Sequence, residues 1–240
     1  MNRDVFDVLF LIARPAAGKS EIIDYLKRAE ADERRRRFHI GPFDVLDDFP
    51  MLWTWFEEDA ILERMGHPRL HTDADGYFKH EYLWHVLIRR LAWEYEKLLR
   101  DRHPDQEVTT VVEFSRGMEH GGYQAAFQHV PVEMLERAAI VYVHVSFEES
   151  LRKNQLRSDP ERPDSILAHS LPDEKLRRLY REDDWDTFSA SDPRFIPIQG
   201  VEVPYAVFEN EDDVTTDRGP ALGVRLEEVL DRLWVLQTEK

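Results

Sequence analysis

At 240 residues and 28.5 kDa the chain can bury a substantial core, and a single α/β domain over residues 1–240 is the simplest organisation it admits. Its 32 basic and 48 acidic residues leave a formal charge of −16, which argues against general binding to nucleic acid or to anionic membranes. With no cysteine, disulfides, thiolate catalysis and cysteine-based zinc sites are excluded, so any metal must sit on oxygen or histidine.

No apolar run is long enough to cross a membrane, and the N-terminus reads straight into a strand rather than a signal peptide, so a cytoplasmic location is expected. Val5, Val8, Leu9, Phe10, Leu11 and Ile12 form the apolar segment expected of a strand buried on both faces of a parallel sheet. Ala13-Arg14-Pro15-Ala16-Ala17-Gly18-Lys19-Ser20 follows, with four free positions before Gly-Lys-Ser and Ala13 where a phosphate loop usually begins with Gly. A polyphosphate needs exposed backbone N–H groups and the positive end of a helix, which this turn and the helix predicted over 19–31 would supply. Gly18 lets the backbone approach, Lys19 would reach the β- and γ-phosphates, and the Ser20 hydroxyl would ligate magnesium.

On these residues the chain resembles the P-loop NTPases, and by its order of elements the small nucleoside, nucleotide and metabolite kinases within them. The motif spans eight residues and is specific for the superfamily only. The resemblance implies ATP and Mg2+ as cofactors and a three-layer, doubly wound parallel sheet of strand order 2-3-1-4-5, with a helical lid inserted at about 147–195.

Arg34 to Arg37 lie beside acids and read as a solvated helix end. A weak second strand is predicted at 38–43, followed by Asp44, Asp47, Asp48 and the aromatics Phe49, Trp53, Trp55 and Phe56. These aromatics either pack a helix on the sheet or wall a substrate pocket at the ligand side of an open α/β sheet. Asp48-Phe49-Pro50 with Trp53 faintly resembles the acid-Pro-aromatic stretch of deoxynucleoside kinases, which implies acceptor-binding roles for Asp48 and Trp53, while Asp44, at the expected strand end, is a further acceptor-binding candidate and stands second to Glu113 for orienting the acceptor hydroxyl. His67, His71, Asp73 and Asp75 match no metal-ligand spacing and read as loop polarity.

A long helix is predicted over 77–102, whose aromatic content would allow a helix-mediated homodimer. Residues 108–114 form a β-branched strand ending in Glu113, with Arg116 three positions later. In the P-loop enzymes the chain resembles, an acid there orients magnesium or accepts a proton, and Glu113 with Arg116 is similar to a shifted form of the acid-Arg pair of deoxynucleoside and thymidylate kinases. The competing reading is a carboxylate that only caps the next turn.

After a helix predicted at 123–137 and a strand at 139–145, Ser146 opens a helix carrying Arg152, Lys153 and Arg157, followed by Arg162. In kinase order this is the basic lid, although the arginines equally suit surface pairs with Glu148, Glu149 and Asp159. A charged helix within 172–185, an edge strand at 195–198, a strand at 205–209 and a terminal helix at 222–236 complete the chain, with Asn210 to Asp213 at the adenine-contacting position the resemblance implies. The expected activity is phosphoryl transfer from ATP to a small-molecule acceptor, with Lys19, Glu113, Arg116, Arg152 and Arg157 as catalytic groups and Ser20 with Glu113 on the metal. The alternative is a nucleotide-binding switch or regulatory ATPase without a small-molecule acceptor.

Overall fold

A computed structural model describes residues 4–103, 106–157 and 171–239. Its sheet is built on β1 (Val8–Ala13), whose six residues are all buried because helices cover both faces. Parallel neighbours β3 (Thr109–Phe114) and β4 (Ala138–His144) flank it. Beyond them lie β2 (Phe43–Asp47) on β3 and β6 (Val201–Glu209) on β4, again parallel. The short β5 (Phe195–Ile198) pairs antiparallel with β6, giving the order β2-β3-β1-β4-β6-β5. The fold is thus α/β, with a six-stranded, mostly parallel mixed sheet in roughly three layers.

One face of the sheet is covered by α1 (Lys19–Arg28), α2 (Ala31–Phe38) and α10 (Pro220–Glu239), through Ile22, Ile23, Leu26, Phe38, Leu226 and Leu230. On the other lie α4 (Tyr82–Asp101), α5 (Gly122–Phe127) and α6 (Val132–Leu135), with Ile88, Leu91, Tyr123, Phe127 and Met134 against Phe10, Val112 and Ile140. A smaller cluster of Trp55, Leu83, Trp84 and Leu87 joins α3 (Asp48–Arg64) to α4 beside the end of β3.

Several elements differ from expectation for identifiable reasons. The second strand lies at 43–47 rather than 38–43, because residues 31–38 form α2 and His39 ends it in the left-handed region at φ 52°. Arg34, expected in solvent, is buried and donates to the carbonyls of Leu26, Ala29 and Gly41, closing the end of α1 onto the chain before β2. Arg37 pairs with Glu33 and Glu227, as a structural reading requires. The helix expected at 123–137 is split at Pro131, whose ring nitrogen has no hydrogen to donate. The helix expected from 77 starts at Tyr82, because Thr72 and Phe78 first form a β-bridge.

The 147–195 region contains α7 (Phe147–Arg157), α8 (Asp173–Tyr180) and α9 (Trp185–Phe188), while Arg162 lies outside the described residues. Leu176 and Tyr180 of α8 pack with Phe147 of α7. Trp185 is stacked on Tyr142 of β4, centroids 4.1 Å apart and planes 7° apart, so this end of the region is part of the core.

Candidate functional site

The turn between β1 and α1 has two residues in the left-handed region, Ala16 at φ 57° and Gly18 at φ 113°. Ala13 keeps ordinary strand geometry as the last residue of β1, so Ala in place of Gly costs nothing there. Gly18 is required for two reasons: its φ disfavours side chains, and a Cβ would lie 2.6 Å from Thr215 Oγ1 and 2.8 Å from Asn210 Nδ2. Asn210, buried after β6, donates to the carbonyl of Ala17 at 2.8 Å and to Thr215 Oγ1. The loop after the last parallel strand therefore supports the turn from behind. No side chain caps α1, and its second residue, Ser20, is exposed. First-turn N–H groups lacking a side-chain cap form a natural anion site.

Pro15 is fixed by Ser150, whose hydroxyl donates to its carbonyl at 2.8 Å. Arg14 is turned away from the interior of the turn. Its guanidinium pairs with Asp183 at 2.9 Å and donates to the carbonyls of Val145 at 3.2 Å and Tyr180 at 3.3 Å. Arg14 thus holds the loop against the start of α7 and the end of α8.

Lys19 Nζ donates to Ser115 Oγ at 2.8 Å, spanning from α1 to the segment after β3. Burial lowers its pKa, while the nearby carboxylates of Glu113, Asp47 and Asp48 oppose that shift. Asp47 and Glu113 are register partners at the C-terminal ends of β2 and β3. Asp47 Oδ1 accepts from the Phe49 N–H at 2.9 Å as the N-cap of α3. Its pKa is pushed up from 3.8 to about 8, first by burial and then by the negative charges of Glu113 and Asp48. Glu113 is itself buried, with Oε2 lacking a hydrogen-bond partner.

Arg116 is 1% exposed and forms a 2.7 Å ion pair with Asp48. Its other bonds go to the carbonyls of Ser115 at 2.6 Å and Trp84 at 3.2 Å, and the Trp84 and Phe114 rings lie 5.3 and 5.2 Å from its guanidinium carbon. His120 is stacked on Trp84 at 3.8 Å and accepts the Gly117 N–H through Nδ1. Burial, with Arg116 nearby, lowers its pKa to about 2, so it stays neutral.

Lys19, Asp47, Asp48, Glu113 and Arg116 therefore come together at one edge of the sheet. Asp44 does not. It is the second residue of β2, in register with Thr110 near the opposite end of the strand, and pairs with Arg102 at 2.8 Å, partly exposed. The displacement of β2 along the chain puts Asp47 where Asp44 was expected. Trp53 lies half-buried on α3, with Phe49 and Phe56 rings 6.0 and 6.2 Å away.

Arg152 pairs with Glu149 and Asp213, and Arg157 holds Glu21 of α1 through contacts of 2.7 and 2.9 Å. Lys153, 4% exposed, reaches Asp213 and Thr215 behind the Arg14–Gly18 turn. Sequence reasoning passed over Asp47, although the doubled acid Asp47-Asp48 before a helix was a usable signal. No local signal marked Asn210 and Thr215 as supports of Gly18.

Among the described residues no group of three or more His, Asp or Glu side chains is arranged to hold a metal by itself. A cation shared with a phosphate needs fewer protein ligands, and the exposed Ser20 hydroxyl and the unpartnered Glu113 oxygen suit that role. A separate cleft of about 750 Å3 lies between the ends of β4 and α8, lined by Arg14, Tyr142, Ser146, Phe147 and Asp183 among others. No described helix is long and apolar enough to cross a membrane.

No protein-family model matches the chain, and no curated protein matches it. Among solved structures it is similar to the crystal structure of APE1195, at 18% identity and a TM-score of 0.43, covering 95% of this chain and 98% of that one. A likeness at that level says nothing about activity.

Proposed function

We propose that the protein is a P-loop phosphotransferase, moving a phosphoryl group from ATP to a small-molecule acceptor. The observation carrying this reading is Lys19, at the start of α1, hydrogen-bonded to Ser115 beside the paired carboxylates Asp47 and Glu113. A phosphate-loop lysine next to two strand-end acids supplies both halves of such a site. The strand arrangement supports it: β1 lies between β3 and β4, with β2 outside β3 and β6 outside β4, all parallel.

The turn from Arg14 to Gly18 and the first N–H groups of α1 would hold the donor phosphates, and Lys19 would neutralise them. Ser20 with Glu113 would hold magnesium, whose chemistry when bound is to draw charge from the phosphate oxygens. Asp47, rather than Asp44, would act with Glu113 to orient an acceptor hydroxyl and take its proton. With its pKa pushed up to about 8, Asp47 would take that proton in its ionised form, so the rate should rise as pH approaches 8. Arg116 would act as a positioning residue through Asp48. Arg157 lies close enough to Lys19 to lower its pKa, and would neutralise transferring charge after exchanging its contact with Glu21. Tyr82, Val86 and Trp93, exposed on α4, are where a homodimer would form.

The test is magnesium-ATP binding by calorimetry, then ADP formation against a panel of nucleosides, nucleotides and sugar acids. Lys19→Ala is expected to lower kcat/KM at least 100-fold with the best acceptor. Full activity in that variant would overturn the assignment.

A further inference from the structure

We infer that copies of this chain associate head to tail, the outer face of α4 on one copy meeting the outer face of α10 on the next. The inference does not depend on phosphoryl transfer, and it names the second surface for the self-association proposed on α4. Tyr82, Val86 and Trp93 fall on one line along α4 at about 100° of rotation per residue, and Trp93 is 68% exposed. The charged side chains within about 60° of that line are Arg89, Arg90, Lys97 and Arg100 against one acid, Glu96, and all of them are exposed. Lys97 bonds Glu94 on the flank, whereas Arg89, Arg90 and Arg100 form no ion pair among the described residues. On a chain at −16 this stripe is a local reversal of sign around an exposed tryptophan. Aromatic and arginine side chains together are the composition of an interface centre.

The complement stands on α10. Val224 and Val235, each 53% exposed, are eleven positions apart, as Tyr82 and Trp93 are. Eleven residues make about three turns and about 16 Å, so both helices carry two apolar side chains on one line at the same separation. The charges within about 60° of the α10 line are all acidic and exposed: Glu228, Asp231 and Glu239. Asp231 also touches His39. The borders reverse the sign on both helices, with Arg232 and the Arg36 of α2 beside the acidic row, and Glu94 and Asp101 beside the basic one. Pairing α4 with itself would set arginines against arginines, and pairing α10 with itself would set acid against acid, both repulsive. Joining α4 to α10 matches opposite charges and lays Trp93 and the valines out of water. The two helices lie on opposite faces of the sheet, so each contact leaves one face unused at either end, and the assembly stays open to further copies.

The experiment is sedimentation equilibrium of the full chain from about 1 to about 200 μM, which reads average mass against concentration. The mass is expected to climb from 28.5 kDa past twice that value. A chain that stays at 28.5 kDa throughout, or that stops at twice that mass, overturns the inference. Arg89→Glu with Arg90→Glu, and separately Glu228→Lys with Glu239→Lys, should each weaken association at least tenfold. Trp93→Ala should do the same. All of these side chains are exposed, and circular dichroism checks the fold of each variant. The four charge substitutions placed in one chain should restore association at least tenfold over either parent, because the opposite signs then meet in exchanged positions. Association indifferent to the α10 pair would assign the contact to another surface and overturn the inference, as would a fourfold variant no stronger than its parents. No nucleotide enters the measurement, so failure here and failure of the phosphoryl-transfer reading show in different experiments.

Discussion

Arg14 Nε donates to the backbone carbonyl of Tyr180 at 3.3 Å, while the Tyr180 ring stands edge-on to His120 at 4.9 Å. A residue of the turn between β1 and α1 is thereby one contact from the group that stacks on Trp84 beside Arg116. The two halves of the proposed site share a mechanical support, and the half-buried Arg14–Asp183 pair anchors it.

Breaking that anchor should be costly. Arg14→Ala leaves Asp183, already pushed upward in pKa by burial, without its cation. Removing one partner of a fully buried pair costs roughly 3 to 5 kcal/mol, which is the upper bound for this half-buried one. Chemical denaturation should show a loss of that order. Asp183→Asn in the same chain should recover part of it, because the stranded charge is gone.

Gly18→Ala should fold less stably and bind magnesium-ATP much more weakly. The new Cβ meets Thr215 and Asn210, which cannot retreat without releasing Ala17. Strain of about 1 to 3 kcal/mol is expected from the left-handed backbone, with steric displacement added to it. Thermal unfolding and calorimetric titration separate the two losses, and a Thr215→Ala background should relieve the steric part only.

Asp47 makes stability depend on pH in a defined direction. Its carboxyl is displaced upward from 3.8 to about 8, so the folded state holds its proton more tightly than the unfolded chain does. Below about pH 4 the group is protonated in both states and contributes no difference. As pH rises towards 8 the unfolded chain ionises freely while the folded one resists, and stability falls. Asp47→Asn should flatten this decline and unfold at a higher temperature than the native chain at pH 8. Melting curves at pH 5, 6.5 and 8 test it. The same variant should lower kcat at least 100-fold if Asp47 takes the acceptor proton.

Trp185→Ala tests whether the end of the 147–195 region belongs to the core. Trp185 is 4% exposed, stacked on Tyr142 and edge-on to Tyr123 and Tyr205. Its removal should cost about 3 to 5 kcal/mol. A segment free to swing as a lid would lose far less, so denaturant unfolding distinguishes the two.

The sequence alone determined the parts whose signal is local. Val8 to Ala13 is too continuously apolar for anything but a strand buried on both faces, and Gly18 after it marks a tight turn into a helix that no side chain caps. Glu113, an acid closing a β-branched run, was equally visible. Only the tertiary structure decided the rest. A helix ending at Phe38 and a left-handed His39 moved β2 along the chain, and a displacement of that kind exchanges which acid stands at the sheet edge: Asp44 went to Arg102 and Asp47 came to Glu113. The role of Arg14 was equally hidden, because its partners lie 131 to 169 residues away and no pattern within the loop encodes them. Spacing along a chain fixes what a backbone turn can hold, whereas the ionisation of a carboxyl group or the duty of an arginine depends on burial and on charges brought near by folding.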